Sequence, residues 1–306
     1  MTSSVSRRGF LVGSASVVAA TQSERLWAAP ALKPGVQLFM VSAEMQKDPA
    51  AALAKLAAIG YGYVESFPLA VKSIPEFKKM LADVGLGCPS GHFFFGMMPT
   101  EKVLDDASAM GVEYAISSVL PPPNGKPPTD AKGVMDAMNS LGRDDFKRMA
   151  QQANELGAAA RKRGIQFAYH NHNVEFRKFE GGETGYSILL KETDPDLVKF
   201  EVDAGWMAAG GADPAAIIAA NANRVKLLHF KDFSSITPPT NTLGREAGSR
   251  IVDLGAGVVP LKAAFEAARK AGAKYFIVDH DPPFKGKTTF EAAKIDFDYV
   301  AGLLAS

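Results

Sequence analysis

Tyr169-His170-Asn171-His172-Asn173-Val174-Glu175-Phe176 follows directly on the largely apolar run 165–168. Such a run reads as a short buried strand, so the two histidines stand at its C-terminal tip. His170 and His172 are two residues apart, which places both on one face if the strand continues through them. Three other apolar runs end in the same kind of chemistry. They are Phe200-Glu201-Val202-Asp203, Leu227-Leu228-His229-Phe230-Lys231-Asp232 and Phe276-Ile277-Val278-Asp279-His280-Asp281.

Working outward, strand-like and helix-like stretches alternate along the chain. Strands are predicted at 35–41, 61–67, 86–92, 113–120, 165–172, 198–205, 225–231 and 275–281. Helices are predicted at 50–59, 74–84, 100–110, 143–163, 185–191, 213–221, 260–271 and 290–304. Asp48-Pro49 and Asp213-Pro214 are a cap followed by a first-turn proline, and Gly60, Gly85, Gly111, Gly164 and Gly272 are helix stops. The strands are continuous apolar runs, as expected of a parallel sheet covered on both faces. Eight such units predict a single (β/α)8 barrel, whose chemistry sits at the C-terminal ends of the strands. A doubly wound open sheet would need a Gly-rich phosphate turn early in the chain, and none is present. Two long loops, 121–141 and 234–258, interrupt the alternation. Loops of this length are usually functional, and the first is expected to be a lid or a homo-oligomer contact over the barrel mouth.

The first 31 residues read as a separate segment. Ser6-Arg7-Arg8-Gly9-Phe10-Leu11, a mild apolar run over 11–20 and a small-residue site at Ala29-Pro30-Ala31 form the pattern of a twin-arginine export signal. The domains are then 1–31, a signal peptide, and 32–306, the barrel, with the mature protein periplasmic or otherwise exported. The apolar run is too short and too rich in small residues for a membrane span. The full chain of 306 residues carries 34 Lys+Arg against 33 Asp+Glu, a formal charge of +1. Removing the signal takes three arginines and one glutamate, which brings the charge to about −1 and leaves no basic footprint for nucleic acid. The one cysteine, Cys88, cannot form an internal disulfide and reads as a buried small apolar residue.

All five histidines, His92, His170, His172, His229 and His280, fall at predicted strand ends. Glu65, Glu201, Asp203, Lys231, Asp279 and Asp281 lie on or at strand ends too. One such residue would be a structural hydrogen-bonder. Many on one barrel are harder to dismiss, because burying each unpaired costs on the order of 2–7 kcal/mol, and ligation of a cation relieves that cost.

In order and spacing, Tyr169-His170-Asn171-His172, Val202-Asp203-Ala204-Gly205-Trp206, His229-Phe230-Lys231-Asp232, Gly255-Ala256-Gly257-Val258 and Ile277-Val278-Asp279-His280-Asp281 resemble the xylose isomerase-like TIM-barrel superfamily, in its sugar phosphate isomerase/epimerase branch. The resemblance covers nearly the whole mature chain. It implies one divalent metal held by residues from strands five to eight. Asp203 matches the family's Asp and His229 its His. Asp279 stands where a Glu is common, which shortens the reach. His170 stands where the first Glu is usual, which removes a negative charge, and His172 is its alternative as ligand. Two imidazoles and two carboxylates suit Mn, Fe, Co or Zn better than Mg. The resemblance further implies Lys231 as a substrate-facing donor and Asp279 as first candidate base. Glu201 and His172 are further candidate bases, Glu65 and His92 are expected substrate contacts, and Trp206 either stacks on a sugar face or packs beside the barrel mouth. Glu175 is expected to support the metal-bearing loop.

The reaction so implied is isomerisation or epimerisation of an unphosphorylated sugar or keto-sugar through an enediolate. Two alternatives use the same residues: a lyase or hydratase eliminating a β-substituent from a keto-glycoside, and a non-catalytic carbohydrate-binding protein. The partner in each case is a small carbohydrate. A DNA-repair nuclease of the same superfamily would need a basic groove.

The export reading is tested by replacing Arg7 and Arg8 with Lys. The precursor should then accumulate in the cytoplasm; fractionation showing unchanged periplasmic delivery would refute the signal.

Overall fold

The computed structural model describes residues 33–67, 73–96, 98–120 and 130–306. The export signal and the mature start expected at Leu32 lie outside the described residues, as does 121–129 of the first long loop. The barrel strands are β1 (Gly35–Gln37), β2 (Tyr63–Ser66), β3 (Gly87–His92), β4 (Tyr114–Ser117), β5 (Gln166–His170), β6 (Val198–Asp203) and β7 (Val225–Phe230). Two short strands, β8 (Asp232–Phe233) and β9 (Ile251–Val252), form a small antiparallel pair, and β10 (Tyr275–Val278) completes the barrel. The barrel is closed in the order β1-β10-β7-β6-β5-β4-β3-β2, every neighbouring pair parallel. The expected (β/α)8 architecture is therefore present.

Helices follow from local chemistry. Asp48 Oδ1 accepts from Ala51 N at 3.0 Å with Pro49 in the first turn, and the helix Pro49–Ile59 runs to Gly60. Thr288 and Glu291 cap the last helix, Thr289–Leu304, reciprocally. Between strands and helices lies the main apolar core, filled by side chains such as Val64, Phe167, Phe200, Val202, Leu228, Phe230 and Phe265.

Inside the barrel the side chains alternate with those of the outer core. Tyr63, Tyr114 and Tyr275, with Ile116, Ala168, Leu227 and Ile277, make a separate apolar plug toward the N-terminal ends of the strands. Tyr63 packs edge-on to Tyr275 at 5.3 Å, and its hydroxyl accepts from Phe276 N at 2.7 Å. Gly35 is required here, since a Cβ would lie 2.1 Å from the Tyr63 ring. One residue pair further along each strand, the lining turns polar.

Several boundaries differ from expectation. The first strand ends at Gln37 because the chain turns into a 3₁₀ segment, Leu38–Val41, and a helix, Ser42–Lys47. The fifth strand ends at His170, so His172 does not continue its face. Its backbone N–H instead donates to the Glu175 carboxylate at 3.0 Å. The sixth strand stops at Asp203, and a short helix, Ala204–Ala209, follows. Gly205 lets that helix press against the chain just after β7, where a Cβ would meet the Lys231 carbonyl oxygen at 2.3 Å. The first long loop contains a helix, Ala131–Ser140, and the second contains β9 and a short helix, Arg245–Gly248.

The second loop returns to the barrel through one buried carboxylate. Asp232 accepts from the backbone N–H groups of Phe233, Gly255, Gly257 and Val259 at 2.9–3.1 Å. Replacing Asp232 with Ala strands these donors, each at a cost of about 1–3 kcal/mol when buried. Urea denaturation of Asp232→Ala should therefore show a loss of at least about 3 kcal/mol; a loss under 1 kcal/mol would mean water replaces the carboxylate freely.

Candidate metal centre

The polar layer is built by register. His170 pairs with Glu201, Asp203 with His229, Ile277 with His229, and Glu65 with Gln37 and Ser90. Neighbouring strands thus bring their C-terminal groups to one level, and alternate residues point inward.

Glu65 lies deepest. It is fully buried, its Oε1 accepts from Gln37 Nε2 at 2.7 Å and its Oε2 from Ser90 Oγ at 2.7 Å. His229 Nε2 stands 2.9 Å from Glu65 Oε1 and 3.1 Å from Glu201 Oε1, while its Nδ1 faces Asp279 Oδ2 at 3.1 Å. His92 Nε2 is 3.0 Å from both Glu65 Oε1 and Glu201 Oε2. His170 Nδ1 is 2.8 Å from Glu201 Oε2. At the mouth, Lys231 Nζ lies 3.1 Å from Asp279 Oδ2 and 2.9 Å from Asp281 Oδ2.

These contacts set the charges. Burial alone would lower His92, but Glu65 and Glu201 outweigh it and push the imidazole up to about 9. His229 is likewise held well above its ordinary value, against its burial, by Glu201 and Glu65. His170 goes the other way: burial and then the neighbouring imidazoles of His229 and His92 keep it neutral. Burial raises Glu201, with the Glu65 charge adding to it. Burial would also raise Asp279, but Lys231 and His229 hold it well below the usual carboxylate range. Asp203 is raised to about 7, chiefly by burial.

His170, Asp203, His229 and Asp279 each offer a ligand atom within 4.8 Å of the others. They close β5, β6, β7 and β10, which are consecutive around the barrel. A second group, His92, His170, Glu201 and His229, shares two members with the first. The donor chemistry fits a divalent cation, and one atom asks for it: Asp203 Oδ1 accepts from Trp206 N at 2.7 Å, but Oδ2 is buried without a partner. A third group, Asp253, His280 and Asp296, is committed to structure. His280 Nδ1 meets Asp296 Oδ2 at 2.8 Å, Leu254 N donates to Asp296 Oδ1 at 2.8 Å, and Lys287 Nζ donates to Asp253 Oδ2 at 2.6 Å.

The remaining residues singled out in the sequence fall as follows. Trp206 is packed, 5.0 Å edge-on to Phe233, with Lys231 Nζ 5.5 Å from its ring. His172 lies 5.1 Å from the His170 ring and 5.9 Å from that of Trp206. Burial and the Lys231 charge lower His172 to about 3, and its buried Nδ1 has no partner. Glu175 accepts from Tyr169 Oη at 2.8 Å and fixes the turn after His170. Glu65 faces His229, His92, Gln37 and Ser90. Gln37 and Ser90 were not anticipated. Their signal was position alone, since each stands on a predicted strand beside Glu65.

A family model described as xylose isomerase-like TIM barrel matches residues 53–294. The chain belongs to this family. A solved sugar phosphate isomerase/epimerase from Parabacteroides distasonis ATCC 8503 superposes on this barrel with a TM-score of 0.71 at 24% identity, over 90% of this chain and 95% of that one. A family protein from Mycobacterium smegmatis, solved in complex with magnesium, gives 0.60 at 16% identity over 92% and 97%. An inosose dehydratase from Lacticaseibacillus casei is 35% identical over 103 residues, 33% of either chain. The match thus spans about a third of that curated relative's length, while the solved structures share the fold across nearly all of it.

In metal-free protein His92 makes stability pH-dependent. Its folded value of about 9 exceeds the unfolded value of about 6.5, so its contribution is complete below pH 6.5 and lost as pH rises through 9. Chelated protein should lose on the order of 3 kcal/mol across that window, and His92→Gln should flatten the slope; equal slopes in denaturation at each pH would refute the assignment.

Proposed function

We propose that this protein is a divalent-metal-dependent enzyme that enolises an unphosphorylated keto-sugar or keto-polyol and expels a β-hydroxyl as water. His170, Asp203, His229 and Asp279 would hold the metal, which when bound polarises the substrate carbonyl and its neighbouring oxygen. Asp279 takes the proton alpha to the carbonyl. The Lys231 ammonium, fixed between Asp279 and Asp281, donates to the enediolate oxygen. Asp281, whose carboxyl burial keeps protonated more readily than usual, hands a proton to the departing hydroxyl. The proton gained by Asp279 balances the one lost, and the net change is loss of water.

The observation that carries this reading is the one-sidedness of the proton carriers. Asp279, Lys231 and Asp281 all stand at the β10 and β7 side. Across the site, on β5, the carboxylate expected of the family is replaced by His170, whose Nδ1 is engaged by Glu201. Elimination from one face needs carriers on one side, as 1,2-isomerisation does, whereas epimerisation needs them on both. The inosose dehydratase match supports the same choice. The second reading, isomerisation or epimerisation, is favoured by His172, a neutral imidazole on the β5 side with a bare buried nitrogen. We place the enzyme outside the cytoplasm on the strength of Ser6-Arg7-Arg8-Gly9-Phe10-Leu11.

Incubation of metal-loaded protein with inososes, ketoses and aldoses in D₂O, followed by NMR, separates the outcomes. Dehydration gives an enol or dione product; epimerisation gives a deuterated isomer; unchanged substrates with saturable binding would reduce the protein to a carbohydrate binder. His229→Ala and Asp203→Asn should each weaken metal binding by about 100-fold or more and lose turnover with it, whereas His280→Ala should keep both. A full equivalent of tightly bound metal in His229→Ala would refute the ligand assignment.

A further inference from the structure

Glu201 has the burial of a core residue and the contacts of none. It sits on β6 two residues before Asp203, on the same inward face. Its Oε2 is 2.8 Å from His170 Nδ1 and 3.0 Å from His92 Nε2. Its Oε1 lies 3.1 Å from His229 Nε2, to the side of the line along which that nitrogen meets Glu65 Oε1. One carboxylate therefore touches three imidazoles, and two of these belong to the candidate ligand set.

We infer that Glu201 is a positioning residue that fixes the tautomer of the imidazole ligand His170, and that it supplies the negative charge that His170 lacks where a carboxylate is expected. A neutral imidazole carries its proton on one nitrogen and offers the other as ligand. By accepting from His170 Nδ1–H, Glu201 leaves His170 Nε2 bare. At His229 the Nε2 partner is Glu65 Oε1, so Glu201 Oε1 adds only a nearby negative charge there. A carboxylate accepting the proton of a ligating imidazole also raises the basicity of the ligating nitrogen. Glu201 is fully buried, and its Oε2 is engaged by both His170 and His92. This inference rests on the proposed metal centre, yet its first test does not.

That test is the long-range ¹H–¹⁵N correlation of the imidazole rings in metal-free, ¹⁵N-labelled wild-type protein. His170 should carry its proton on Nδ1; a proton on Nε2 overturns the inference without any variant having to fold. The second test is Co²⁺ affinity. Glu201→Gln should bind Co²⁺ about 10–100-fold more weakly than wild type. Glu65→Gln, which touches His92 and His229 but not His170, should leave the His170 tautomer as it is. Equal Co²⁺ affinity in wild type and Glu201→Gln also overturns the inference. If the wild-type protein binds no Co²⁺ at all, the metal reading fails, and the His170 tautomer still decides the role of Glu201.

Discussion

The contact on which the site depends is that between the buried carboxylates of Glu65 and Glu201 and the imidazoles of His92, His170 and His229. Taken singly, each charge in this layer is costly to bury, and removing one partner of such a pair leaves the other uncompensated. Gln37 and Ser90 donate to Glu65 from the flanking strands, so even the deepest carboxylate has its oxygens satisfied. The layer can exist only because five parallel strands, β2, β3, β5, β6 and β7, end at one level and turn their alternate residues inward. Fold and site are therefore a single constraint: a register slip of one residue on β6 would turn Glu201 and Asp203 outward together.

Much of this was legible in the sequence because parallel strands read as apolar runs with helix stops between them. The strand ends carrying His170, Asp203, His229 and Asp279 stood out since a polar residue closing such a run has little other reason to be there. What pattern could not convey was depth. Glu65 and Glu201 carry the same residue type as a substrate contact or a base, and only three-dimensional placement separates a carboxylate under the imidazoles from one beside the substrate. His172 was misplaced for a local reason. The Glu175 carboxylate binds its backbone N–H and pulls the chain out of the strand, and Glu175 stands three residues downstream, where it looks like an ordinary loop acid.

The two long loops illustrate another limit. Pro and Gly marked 234–258 as irregular, yet the segment supplies β9 to the pair with β8 and is tied back through Asp232, whose oxygens take four backbone donors. A single acid following Lys231 gives no hint of this in sequence, because three of its four partners lie more than twenty residues away. The loop also reaches the other side of the mouth. Asn173 Nδ2 donates to the carbonyls of Thr240 and Thr242, so the turn after His170 and the segment after β8 hold one another.

The aromatic plug of Tyr63, Tyr114 and Tyr275 has a consequence for traffic. Among the described residues it fills the barrel toward the N-terminal ends of the strands with buried rings, one of them held by a backbone hydrogen bond, and leaves the polar layer facing the C-terminal ends. If the proposed reaction takes place there, reactant, product and expelled water share that approach, and whatever narrows it slows departure as much as arrival.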